Sequence, residues 1–148
     1  MYLAPSQPTL IRPLAGGRDA ISRIVDDVLA GTDGHRVFAP APLAKELLTL
    51  ALSEILHTIT DVAGPQTDAD ASSIELWLDQ HLLIITIRFR GARLPDWLLV
   101  NWDRGQEPEI LAPRTEFGWG WLLVREALDS VSLDWMGSEQ ILILEKRL

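Results

Sequence analysis

Glu54 and Thr58 stand four residues apart in Leu50-Ala51-Leu52-Ser53-Glu54-Ile55-Leu56-His57-Thr58, a step that puts a carboxylate and a hydroxyl on one face of a helix. A second stretch, Ile85-Thr86-Ile87-Arg88-Phe89-Arg90-Gly91-Ala92-Arg93, runs from β-branched residues into a glycine, the residue expected where a strand turns. In the third, Gly118-Trp119-Gly120-Trp121-Leu122, a glycine pair opens a helical pattern. Such a start presents free N–H groups and a positive dipole end to an anion such as phosphate. It equally suits a tight loop-to-helix turn in which Trp119 and Trp121 pack. His35, His57 and His81 form no His-x-x-x-His pair, and cysteine is absent, so no metal site is expected. The chain carries neither a Gly-x-Ser-x-Gly elbow nor a Gly-rich lysine loop.

The elements that position these residues follow from periodicity. Thr9-Leu10-Ile11, among Pro5, Pro8 and Pro13, suits an edge strand or a loose arm over 1–17, ahead of one domain over 18–148. Ile21, Ile24, Val25 and Val28 recur at helical spacing, and Gly31 is the expected C-cap. Over Leu43 to Ala63, Ala44, Leu48, Ala51, Ile55, Ile59 and Val62 share one side, with Glu46, Ser53, Glu54, His57 and Asp61 opposite. Gly64-Pro65 ends that helix, and Gln66 to Ala71 reads as a polar loop. Ser73 to Leu78 and Leu82 to Phe89 read as a hairpin. A long, proline-bearing connection runs from Gly91 to Phe117 with one helical turn at Asp96 to Val100. A helix to about Ser130 follows, with Leu122, Leu123, Ala127 and Leu128 on its apolar side, then a second hairpin, Val131 to Trp135 and Gln140 to Lys146. The expected architecture is a two-layer α+β sandwich, helices on one face of a mainly antiparallel sheet.

Composition narrows the classes. A chain of 148 residues with 47% hydrophobic residues can bury its own core. A formal charge of −8 opposes binding to a phosphate backbone, and Arg88, Arg90 and Arg93 read as a solvated strand edge, so nucleic acid is not an expected partner. No segment gives about 18 uninterrupted apolar residues. The opening Met1 to Pro5 lacks a signal-peptide pattern. The expectation is a cytoplasmic protein without membrane contact.

The order and spacing of the three stretches resemble the GHKL superfamily of histidine-kinase-like ATPases, in particular the anti-sigma-factor serine kinases that regulate bacterial transcription by partner switching. The resemblance runs from about Arg18 to the C-terminus. It implies that Glu54 takes the place of the catalytic base, while Thr58 stands where the family has a magnesium-binding Asn. The strand-end stretch is similar to the family's Asp-x-Gly-x-Gly turn, whose Asp accepts a hydrogen bond from adenine and whose second Gly gives the base clearance. Phe89 occupies the Asp position, Gly91 the first Gly and Arg93 the second. Gly118 and Gly120 match the phosphate-cradling Gly-x-Gly helix start. Phe cannot accept the adenine bond, Arg brings bulk, and Thr is a weaker oxygen ligand than a carboxamide.

The expected function is therefore a degenerate histidine-kinase-like ATPase domain, expected to bind neither ATP nor magnesium, acting as a regulatory protein-binding module on a protein partner: a sigma factor, an anti-sigma antagonist or another signalling protein. Trp97, Trp102 and Trp119, in and just after the long connection, are residue types favoured at interfaces. The alternatives are an active ATP-dependent serine kinase with Glu54 as base, and a phosphotransfer adaptor; a homodimer is compatible with any of them.

Overall fold

The computed structural model describes residues 7–33, 42–66, 72–78, 81–94 and 123–148. Among these residues five strands form one antiparallel sheet: β1 (Leu10–Pro13), β2 (Ser73–Leu78), β3 (Leu82–Arg90), β4 (Ser130–Met136) and β5 (Glu139–Arg147), in the order β1-β2-β3-β5-β4. A 3₁₀ turn at Gly17–Ala20 leads into α1 (Ile21–Asp33), and α2 (Pro42–Ala63) follows. The expected α+β sandwich is the observed one.

Alternation in the strands selects the buried face. In β3, Leu83, Ile85, Ile87 and Phe89 point into the core, and in β2 Ile74, Leu76 and Leu78 do the same. These side chains meet Ile24, Val25 and Val28 of α1 and Leu48, Ala51, Leu52, Ile55 and Ile59 of α2 in one cluster. Residues 123–127 are helical, and Val124 and Ala127 join the same core. The opposite sheet face carries Glu75, Arg88 and Glu139, linked as an ion-pair ladder across three strands.

Three local expectations are corrected. Gly31 does not cap α1; the helix continues to Asp33, and Gly31 lies where the helix crosses the sheet, since a Cβ there would stand 3.1 Å from Leu76. Packing clearance, not helix termination, selects glycine at that position. The helix expected to reach Ser130 stops at 127, because Ser130 already belongs to β4, and its buried side is Val124, Ala127 and Leu128 while Leu123 is 38% exposed. The outward side of α2 is not uniformly polar: Leu43 and Leu50 lie on it, both more than half exposed. The expected turn at 96–100 lies outside the described residues.

Charged contacts tie the N-terminal region to the helices. Arg12 of β1 donates to Asp27 of α1 at 2.7 Å, and Arg18 pairs with Asp61 of α2. Gly64 closes α2 in a left-handed conformation, φ 99°, and donates its N–H to the Thr60 carbonyl.

Candidate functional site

The C-terminal half of α2 and the end of β3 meet at Gly91. Its φ is 126°, and a Cβ there would lie 1.9 Å from the Ala63 carbonyl oxygen, so only glycine lets the strand end pass the helix end. Thr58 sits five residues before Ala63, about 7.5 Å back along the helix axis. Phe89 is the last inward residue of β3 before Gly91, so the strand end carries Phe89 and Gly91 while Thr58 lies on the helix whose end Gly91 passes. Glu54 is one further turn back on α2, half-buried.

Each side chain there has a defined surrounding. Thr58 is 2% exposed, and its Oγ1 donates to the Glu54 carbonyl at 2.9 Å within the helix. Phe89 is wholly buried among the core side chains. The Arg93 guanidinium lies over the ring of Trp135, 4.3 Å from its centroid, in a cation–π contact. Gly118 and Gly120 lie outside the described residues, as do Trp97, Trp102, Trp119 and His35. Among the described residues no group of three or more His, Asp or Glu could hold a metal ion.

Two glutamines clamp the exit of β3. Gln66 accepts from the Arg90 N–H at 3.0 Å through Oε1 and donates to the Arg90 carbonyl at 2.7 Å through Nε2, so its amide pairs with the strand as a neighbouring peptide group would. Ser72 and the Gly64 carbonyl complete its bonds. On the other side Gln140, 0% exposed, donates to the carbonyls of Gly91 and Ala92 and accepts from the Leu94 N–H at 3.1 Å. A buried amide with three partners fixes backbone more tightly than any apolar side chain of its size, because moving it leaves polar groups unpaired.

Sequence reasoning named Glu54, Thr58, Phe89, Gly91 and Arg93 but missed Gln66, Gln140 and Trp135. A signal for Gln140 existed: it stands at an inward position of the alternation Gln140-x-Leu142-x-Leu144, and a polar residue at an inward position must find partners. Nothing comparable marked Gln66 in its polar loop.

A small cavity of about 20 Å³ lies elsewhere, between the 3₁₀ turn and the two helices, lined by Leu14, Ile21, Ile24, Leu56 and Ile59 among others. That is room for about one water molecule, not for a nucleotide.

No protein-family model matches the chain, and no curated protein matches it significantly in sequence.

Proposed function

We propose that the chain is a regulatory protein-binding module of the anti-sigma or partner-switch type, built on a histidine-kinase-like ATPase domain whose nucleotide site has lost its ligands. The observation that carries this reading is Phe89. At the position where the resemblance implies an adenine-reading carboxylate, an aromatic ring is packed entirely into the core. A ring in that place offers no acceptor to an adenine amino group, and swinging it out would open a cavity.

The neighbouring positions support the same reading. Thr58 spends its hydroxyl proton on its own helix and is nearly inaccessible, so a hydrated magnesium ion would have to disturb the packing of α2 to reach it. Arg93, at the second glycine position, is stacked on Trp135. These features support a site that holds neither ATP nor magnesium, in a domain that acts through its surface on a sigma factor, an anti-sigma antagonist or another signalling protein.

Calorimetric titration of the unmodified chain with magnesium ATP tests the reading. Micromolar nucleotide binding overturns it in favour of an active serine kinase with Glu54 as base. A complex with a sigma factor or anti-sigma antagonist whose affinity is unchanged by added ATP supports it.

A further inference from the structure

The two edges of the sheet differ in kind. The β1 edge is four residues long and ends at Pro13, a short and proline-blunted edge of the sort that resists strand addition. Among the described residues β4, at the other edge, pairs only with β5. Its seven residues, Ser130-Val131-Ser132-Leu133-Asp134-Trp135-Met136, contain no proline and no lysine, and Asp134 is the one charge. Trp135 and Met136 are 39% and 65% exposed at its end.

The hydrogen-bond phase of the sheet fixes which groups the β4 edge offers. Leu148 donates its N–H to the His81 carbonyl, in line with the β3–β5 register, so even-numbered residues of β5 turn their polar groups to β3 and odd-numbered ones to β4. In the β4–β5 register those odd residues face Ser130, Ser132, Asp134 and Met136. Val131, Leu133 and Trp135 therefore point their N–H and C=O groups away from β5, along an edge that pairs with no other strand among the described residues.

From this phase and this sequence we infer that the β4 edge is a self-association surface: two copies of the chain pair β4 with β4, antiparallel, about a two-fold axis at Leu133, extending the sheet across the dimer. In that register Leu133 faces Leu133 and Val131 faces Trp135 of the second copy, all three outward-pointing residues on each strand form bonds, and about six backbone hydrogen bonds close the seam. Trp135 gains an aromatic to β-branched cross-strand contact on the helix-bearing face. On the other face Ser132 meets Asp134, a hydroxyl opposite a carboxylate. The neighbouring registers are worse. An axis at Asp134 opposes two like charges, and an axis at Ser132 carries Trp135 past the end of the partner strand, opposite Asp129. The single charge of β4 thus selects the register.

The chain has no cysteine, so single-cysteine variants report the register directly. Ser132→Cys and Asp134→Cys change exposed side chains on the helix-free face and leave the core intact. Opposed Cα atoms in such a non-hydrogen-bonded pair are about 4.5 Å apart, inside the range a disulfide spans. Mixed and oxidised, the two variants give the mixed disulfide in roughly tenfold excess over either self-disulfide, because like positions lie on a diagonal at about 7–8 Å. Trp135→Lys weakens the dimer by at least about tenfold in sedimentation equilibrium. A chain that stays monomeric at about 1 mM, a weak association by any standard, overturns the inference. So does a dimer that forms without the mixed disulfide or is untouched by Trp135→Lys.

Discussion

The backbone of Gly91 runs so close to the carbonyl of Ala63 that a Cβ added at Gly91 would stand 1.9 Å from that oxygen, whereas the same addition at Gly64 or Gly137 meets nothing within 4 Å. All three glycines have positive φ. Alanine at Gly137 therefore carries only the left-handed penalty, about 1–2 kcal/mol. Alanine at Gly91 must also push β3 away from α2. Gly91→Ala is expected to lower unfolding free energy by about 3 kcal/mol or more, and urea denaturation of the two variants side by side checks the ordering. Equal losses would mean that the strand end and helix end are not in contact.

Gln140 is expected to act on the Leu94 amide, which has its side-chain Oε1 as acceptor. Gln140→Leu keeps the volume near that of the native residue but leaves that N–H and the carbonyls of Gly91 and Ala92 without their partner. The cost is about 1–3 kcal/mol, carried by the buried Leu94 N–H, since Gly91 and Ala92 are exposed and their carbonyls can turn to water. Native-state hydrogen exchange separates this from a general loss of stability: the Leu94 amide should lose protection more than the amides at the centre of β3. Uniform loss across the sheet would refute a local clamp.

Most of the fold was legible because burial in it follows simple periods. Leu83, Ile85, Ile87 and Phe89 alternate with outward residues, and Leu48, Ala51, Ile55 and Ile59 recur at helical steps, so sheet and helix announce their inner faces locally. Contacts between distant parts do not. Gln140 lies 46 residues from the amide it caps, and Gln66 lies 24 from Arg90, separations across which no local pattern carries information. Gly31 illustrates the same limit from the other side: its place near a helix end suggests a cap, while the reason for glycine is Leu76 on a strand distant in sequence. Of the candidate site, the residues on α2 and β3 could be named, and the alternation of β3 alone puts Phe89 on the inner face, but what packs against its ring there comes from elements distant in sequence.

Ion pairs at the surface are expected to contribute little. Arg12 and Asp27 join β1 to α1 at 2.7 Å, yet their side chains are 27% and 47% exposed. A double-mutant cycle with Arg12→Ala and Asp27→Ala should give a coupling of about 0.2–1 kcal/mol, as exposed pairs generally do. The coupling should shrink further in 1 M salt, where the screening length falls to about 3 Å. A coupling above about 2 kcal/mol would show that β1 is anchored by charge and not by Leu10 and Leu14.

Phe89 is where stability and function can be read in one variant. Its ring is fully buried at the last inward position of β3, next to the Gly91 turn. Phe89→Ala removes a ring from a packed core and should cost about 3–5 kcal/mol, more than any other substitution considered above except, at its upper end, Gly91→Ala. Phe89→Leu retains most of the packing and should cost far less. If the ring acts only as core filling, both variants that remain folded should bind a protein partner of the proposed class as the native chain does. Their affinity then follows the folded fraction seen by circular dichroism at the same temperature. Affinity for magnesium ATP is the contrasting readout: a folded Phe89→Ala that gains nucleotide binding absent from the native chain would show that the ring closes an adenine pocket. The proposal of a lost nucleotide site requires more than space, since alanine supplies no acceptor for the adenine amino group. The expected outcome is a destabilised Phe89→Ala without measurable ATP affinity, and micromolar ATP binding by the native chain would remove the basis for reading Phe89 as a loss.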